Sequence, residues 1–267
     1  MVERLVPDGL WELSQRVVPA APVRPQRGGR RRYGDRQVLA AIVFVATTGC
    51  TWRQLPPGFG PSGPTAHRRF TEWSRARVSG RLRRLVLDAL GARGELDWSR
   101  CAIDSVNMRA MKGGPETGPN PVDRGKMGSK IHLVIERTGL PLSIGISPAN
   151  TDDSQGLEPL VRGIPPIRSR RGPRRRRPAK RHGDKGYDYN QLRRWLRSRN
   201  ITPRIARKGI ESSLPLGRHR WTVEQTVAWL AGYRGLHRRY ERKAEHFLAF
   251  AGITAALICW RRLSRQA

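Results

Sequence analysis

Two apolar runs, Gly128–Thr138 and Leu140–Ser147, flank a tight turn at Thr138-Gly139 and commit the middle of this chain to an antiparallel hairpin. A lone hairpin cannot bury its faces, so further strands must complete a sheet. The stretch Trp98–Arg109 supplies the first, with Cys101, Ala102 and Ile103 leading into Asp104. After the hairpin the pattern alternates. It predicts a helix over 154–163, a short strand reaching Asp184, a basic helix over 190–200, a strand over 201–206, and helices over 222–233 and 241–263. Strand, strand, strand, then βαβ units describe a mixed α/β sheet with flanking helices. Gly113–Gly125, rich in Gly and Pro, reads as a flexible loop.

Before Trp98 the period is helical. Asp8-Gly-Leu-Trp-Glu-Leu suits a short helix, and Val18–Arg32 reads as a basic loop. Asp35 is placed to N-cap a helix that ends at Gly49, with Val38, Ile42 and Val45 inward. Ser62-Gly-Pro-Thr starts another, with Ala66, Phe70 and Trp73 inward and His67, Arg68, Arg69 and Arg75 outside. A further helix covers about Ser79–Gly91. Short helices with one basic face resemble a helix-turn-helix unit. The expected organisation is therefore a helical, DNA-binding domain over 1–92 and an α/β domain over 93–267. His67, Arg68 and Arg69 are the expected base-reading and phosphate contacts.

Charge names the partner. The formal net charge is +31, which calls for a polyanion, most simply DNA or RNA. Nine of the fourteen residues in Arg168–Arg181 are basic, and Arg174, Arg175, Arg176 and Arg177 form its densest run. Because this run leads into the strand bearing Asp184, it is expected beside that residue, tracking DNA phosphates. The three cysteines, an odd count without a CxxC pair, suit a reducing cytoplasm. The two longest apolar runs, Val38–Thr47 and Phe247–Trp260, fall short of the ~20 residues that span a bilayer, so no membrane partner is expected.

In so basic a chain a carboxylate on a buried strand needs a cation. Asp104 has two candidate companions: Asp184 in His-Gly-Asp-Lys-Gly-Tyr-Asp, and Glu224 in Arg-Trp-Thr-Val-Glu. Phosphodiester chemistry needs an activated oxygen nucleophile and a stabilised leaving oxygen, which two divalent ions ~4 Å apart supply. Magnesium accepts two or three carboxylates and keeps its remaining waters. Ala228 and Ala231, four and seven residues after Glu224, would let that helix lie close to a sheet and leave room for phosphate. Arg220, one turn earlier, would balance the carboxylate or bind phosphate. Asp153 reads as a helix cap, Glu136 as a solvated carboxylate before a turn, and Glu241 and Glu245 as surface ion pairs. His182 and His219 read as ordinary basic-loop histidines. On spacing alone, structural ion pairs are the stronger account of the three carboxylates.

Taken in order, several motifs resemble the DDE transposases of bacterial insertion sequences, in the fourth/fifth insertion-sequence group. They are Gly49-Cys-Thr-Trp-Arg-Gln-Leu-Pro, Phe70-Thr-Glu-Trp, Ala102-Ile-Asp-Ser, Gly128-Ser-Lys-Ile-His-Leu, Pro148-Ala-Asn-Thr-Asp-Asp-Ser, Asp184-Lys-Gly-Tyr-Asp and Arg220-Trp-Thr-Val-Glu. The resemblance implies a ribonuclease H-like mixed sheet after the helical domain. It implies Asp104, Asp184 and Glu224 as the catalytic and metal-binding set, with two Mg2+ or Mn2+ ions. It further implies cleavage and strand transfer at terminal inverted repeats, double-stranded repeat and target DNA as partners, and a homodimer or higher multimer on DNA at the bacterial nucleoid. The family's Tyr seven residues before the Glu and basic residue seven after are replaced here by Gly217 and Ala231. Arg220 matches, and Arg234 is the candidate to replace the later basic residue. A related nuclease without strand transfer, or a DNA-binding remnant without catalysis, are the competing expectations.

Overall fold

The computed structural model describes residues 1–20, 32–209 and 217–265, with 217–220 as backbone only. Most of the expected basic loop over 18–32 therefore lies outside the described residues, as does the side chain of Arg220.

The helical part comprises α1 (Val2–Leu5), α2 (Asp8–Gln15), α3 (Asp35–Thr48), α4 (Gly63–Arg75) and α5 (Val78–Arg93). α3 buries Val38, Ile42 and Val45 as its period requires, and Gly49 stops it in the left-handed region at φ 70°. Its N-cap is Gly34 and not Asp35, whose carboxylate is instead bonded by Arg69. α4 begins after Ser62 with Pro64 in its first turn. α5 runs past Gly91, where a Cβ would stand 2.0 Å from the carbonyl oxygen of Arg168, so glycine lets the helix touch that loop. Gly94, at φ 78°, ends it.

The sheet follows: β1 (Cys101–Ala110), β2 (Gly118–Pro119), β3 (Met127–Glu136), β4 (Pro141–Pro148), then α6 (Leu157–Arg162), β5 (Lys180–Gly183), α7 (Asn190–Ser198), β6 (Thr202–Ile205), α8 (Gly217–Ala231), β7 (Arg238–Arg239) and α9 (Ala244–Ser264). The main strand order is β4-β3-β1-β5-β6. β1, β3 and β4 form an antiparallel meander, while β5 and β6 run parallel to β1. That is the ribonuclease H-like arrangement, a mixed sheet with helices on its flanks. β2 continues the β4 edge along β3, and β7 lies parallel to β1 at Arg109 and Ala110.

β1 continues six residues beyond Asp104, so that residue is mid-strand, as in the expected stretch Trp98–Arg109. Three expectations change here. The Gly113–Gly125 segment is pinned: Gly118 pairs with Gly128, Asn120 is 3% exposed, and the carbonyls of Pro115 and Glu116 accept hydrogen bonds from Arg239. Glu136 is buried and not solvated. It accepts bonds from the backbone of Asp97, Thr138 and Leu140, and burial raises its pKa. Arg181 belongs to β5, fully buried, its guanidinium over the Tyr187 ring at 5.7 Å.

α9 binds the two parts together by lying along α5 and against α4, α3 and β4. Its residues belong to the same apolar cluster as α3, the α4–α5 pair and the sheet. At 21 residues it is long and apolar enough to cross a membrane, but 72% of its apolar window is buried inside the protein, where it serves as the core helix.

Candidate active site

β1 and β5 are neighbouring parallel strands, registered Cys101 with Arg181 and Ala102 with His182. Two steps further along each strand come Asp104 and Asp184. They therefore lie level on strands ~4.8 Å apart. Asp184 sits just past the end of β5, exposed, its Oδ1 accepting from the Gly186 amide at 2.9 Å. Asp104 is half-buried, its Oδ1 accepting from the Ser105 amide at 2.8 Å.

Tyr187 reports on the local field. Its hydroxyl has no hydrogen-bond partner and is pushed far above its usual pKa, by burial first, then by Asp153, Asp104 and Asp184, against the pull of Arg181. Tyr187 thus stays protonated at any working pH and is a donor, not a base. Three carboxylates act on it: Asp104 and Asp184, which the sequence assigns to the site, and Asp153, which it does not. Asp153 is the addition. The cap of its turn is Asp152, which accepts from the Ser154 amide. Asp153 instead pairs with Lys130 Nζ at 2.8 Å and accepts from Ser105 Oγ at 2.7 Å. The signal in the sequence was Lys130 itself, an inward cation on a strand that needs an anion.

Glu224 lies on α8, which packs against β1. Thr222, Val223, Thr226 and Leu230 are its buried side, and Thr226 Oγ1 donates to the Gly139 carbonyl at 2.8 Å. Glu224 is on the exposed side, together with Ala228 and Ala231. The alanines therefore do not seat the helix on the sheet, as expected from spacing; they leave the space beside Glu224 open. Among the described residues no group of three or more His, Cys, Asp or Glu side chains stands ready to hold an ion. The structure thus brings Asp104 and Asp184 together and leaves Glu224 on the adjoining helix. The donors are hard carboxylate oxygens with solvent access, which fits a hydrated divalent ion of the magnesium type.

Of the expected DNA contacts on α4, His67 and Arg68 are exposed. Arg69 is not: it is 3% exposed and ion-paired with Asp35 and Glu72, so it holds α4 to α3 and is unavailable to phosphate. Arg174 to Arg177 are all exposed and line a cleft of about 760 Å³ with Arg162, Trp195 and Arg199. They enter β5 at its N-terminal end, whereas Asp184 follows its C-terminal end. Four residues of strand, roughly 13 Å, lie between, so the run is not beside Asp184. Arg174 is also committed to Asp88 of α5 at 2.8 Å.

Residues 6–83 match the family model described as "Putative transposase of IS4/5 family", and residues 98–259 match "Transposase DDE domain". A curated relative from Burkholderia cepacia, "Putative transposase for insertion sequence element IS402", is 46% identical over 153 residues, covering 57% of this chain and 72% of its own. "Insertion element IS402 uncharacterized 16.2 kDa protein" from the same organism is 38% identical over 123 residues, 45% of this chain and 84% of that one. The Mos1 strand transfer complex is a solved structure with TM-score 0.29 and 12% identity, covering 91% of this chain and 81% of that one, a likeness too slight to build on. Transposase DDE domains in general use divalent metal ions. With the ribonuclease H-like sheet and two matching models in order along it, the chain belongs to the IS4/5 family of DDE transposases, enzymes of DNA cleavage and strand transfer.

Proposed function

We propose that Asp104, Asp184 and Glu224 are the catalytic and metal-binding carboxylates of this transposase, acting on the terminal inverted repeats of its element. The observation that carries the reading is the register of β1 and β5, which sets Asp104 on β1 and Asp184 just past β5 each two residues beyond one registered pair, with Glu224 on the exposed side of the next helix over β1. Two divalent ions, Mg2+ or Mn2+, would supply charge stabilisation to the attacking and leaving oxygens there. The chain's own part is to orient them. Asp104 is fixed by the strand, Asp184 by its turn at Gly186, and Lys130 neutralises Asp153 so that like charge does not accumulate unopposed. The reading places the protein in the cytoplasm, pairing two element ends through a homodimer or larger assembly. The test is strand transfer: a terminal-repeat duplex should be nicked and joined to target DNA, and hydrolysis without joining would make the enzyme a nuclease.

Sequence reading is assigned to residues 1–92, through the exposed face of α4. Replacing His67 and Arg68 by alanine in the full chain should bring the affinity for the repeat to within about threefold of random duplex, since a base-edge contact discriminates by ~1–3 kcal/mol. The full chain is needed because α9 completes the packing of α5. Competition binding measures it, and an unchanged ratio would move recognition elsewhere.

The arginine-lined cleft is assigned to DNA phosphates away from the cut. Each phosphate contact adds about −0.9 to the slope of log affinity against log salt. Arg174 is spoken for by Asp88, so changing Arg174–Arg177 to glutamine should flatten the slope by up to roughly 3 units, alike for every sequence. An unchanged slope would leave the run as a solvated surface.

A further inference from the structure

The face of the sheet behind Asp104 is polar where a core face would be apolar. Successive strand residues point to opposite faces, so Ser105 points away from Asp104. The register pairs Ser105 with His132 and Asn107 with Lys130, which puts all four on that rear face. Lys130 and His132 are buried. A buried ammonium on a central strand is costly unless it is paired. Lys130 Nζ donates to Asp153 Oδ1 at 2.8 Å and to the Thr151 carbonyl at 2.7 Å. The same Asp153 oxygen accepts from Ser105 Oγ at 2.7 Å. These bonds fasten the turn Asp153–Gly156 and the residues before it to β1 and β3. Gly156 lets the turn lie close on the sheet, since a Cβ there would stand 2.9 Å from His132 Nδ1.

The turn has a second neighbour. It packs against Lys185–Tyr187, the turn that follows Asp184. That second turn is itself anchored under the sheet, because Tyr187 is fully buried with its ring against Gly183 of β5. One short segment therefore grips β1 at the residue after Asp104 and the chain at the residues after Asp184. Ser105 is also joined to Asp104 directly, its amide donating to Oδ1 at 2.8 Å. We infer, resting on the catalytic reading of Asp104 and Asp184, that Asp153, Lys130 and Ser105 are positioning residues. They form a bracket on the rear face that sets the separation of the two carboxylates, and through it the affinity for a divalent ion. Asp153 is not a ligand in this arrangement: its Oδ1 already serves Lys130 and Ser105 on the far face from Asp104. Magnesium demands near-ideal octahedral geometry, so a small change in carboxylate spacing weakens its binding.

The test titrates Mn2+ into the full chain without DNA and follows the free ion by electron paramagnetic resonance. Ser105→Ala leaves every charge in place and opens the bracket, so it should weaken Mn2+ binding about tenfold, the usual scale for losing a partner that orients a metal ligand. Ser105→Thr keeps the hydroxyl and should bind within about twofold of the parent protein. Asp153→Asn should weaken binding at least as much as Ser105→Ala, and adding Lys130→Met to it should cost little more, because the bracket is already open. Nicking of a terminal-repeat duplex by Ser105→Ala should recover in excess Mg2+, a shift in the half-saturating concentration and not in the maximal rate. A serine with a merely structural role would lower the melting temperature and leave Mn2+ affinity at the parental value, and that result would overturn the bracket. Equal weakening in Ser105→Ala and Ser105→Thr would overturn it too, since the hydroxyl would then not be the link. Parental Mn2+ affinity in Asp104→Asn would instead overturn the carboxylate reading beneath it.

Discussion

Asp104→Asn and Asp184→Asn are each expected to lower single-turnover nicking of a terminal-repeat duplex by roughly 10³-fold or more, the scale on which a group acting in a catalytic unit is lost. Glu224→Gln should do the same. Duplex affinity, read by gel shift in the same preparations, should change by less than about threefold, because these carboxylates repel phosphate and are not what holds the DNA. The asparagine substitutions keep shape and hydrogen-bonding reach but remove the charge that a divalent ion requires. Asp152→Asn is the matched control. Asp152 is an acidic neighbour whose side chain caps its own turn through Ser154, so activity should survive. Asp153→Asn should fall between, since the buried Lys130 would lose its charged partner and the 153–156 turn would loosen. Activity within tenfold of wild type in Asp104→Asn would remove that residue from the chemistry, and with it the case for its level partner Asp184.

How much of this the sequence carried depended on whether a residue answered to local or to distant forces. The hairpin was legible because Thr138-Gly139 and two alternating runs are local, and β3 pairs β4 across that turn. Asp104 and Asp184 were legible as acids that local context could not explain. Their level placement was not, because it depends on which strands pair. Arg69 was misjudged as exposed because its charge was read as a surface signal; helical period puts it between Ala66 and Trp73 on the inward face, where Asp35, thirty-four residues away, pairs with it. Glu136 was misjudged for the same reason, as its bonds come partly from Asp97 on a preceding segment. The run before Asp184 was placed beside that residue because adjacency in sequence was taken for adjacency in space, whereas a strand puts its two ends apart. β7, two residues long and paired only to the far end of β1, carries no periodic signal at all.

That short strand bears the side chain whose loss should cost most in stability. Arg239 is fully buried, and its guanidinium donates five hydrogen bonds: to the carbonyls of Pro115, Glu116, Glu241 and Arg242 at 2.7, 2.9, 2.9 and 3.3 Å, and to Ser129 Oγ at 2.6 Å. It also lies over the Phe247 ring at 5.5 Å. The bonds tie three separate pieces of chain: the segment after β1, β3, and the turn leading into α9. None of these acceptors is a carboxylate, so a neutral replacement strands no opposite charge. What it strands is the carbonyls of Pro115, Glu241 and Arg242 around a vacated volume, while the Glu116 carbonyl keeps its bond from Ser129 Oγ at 2.6 Å. Each buried group left unbonded costs ~1–3 kcal/mol, with water entry recovering part. Arg239→Met, which retains most of the apolar stem, should therefore lower the unfolding free energy by about 3–5 kcal/mol, a large share of the ~5–15 kcal/mol that holds a domain together. Arg239→Lys, with one ammonium reaching one or two of the carbonyls, should lose roughly half as much. Urea denaturation of the two variants beside the parent protein measures both. The same bonds hold the segments 112–118 and 240–243, so protease cutting within them should rise in Arg239→Met before the protein unfolds globally. A loss below about 1 kcal/mol in that variant would show that the carbonyls find other donors, and that β7 is held by its neighbours rather than by its arginine.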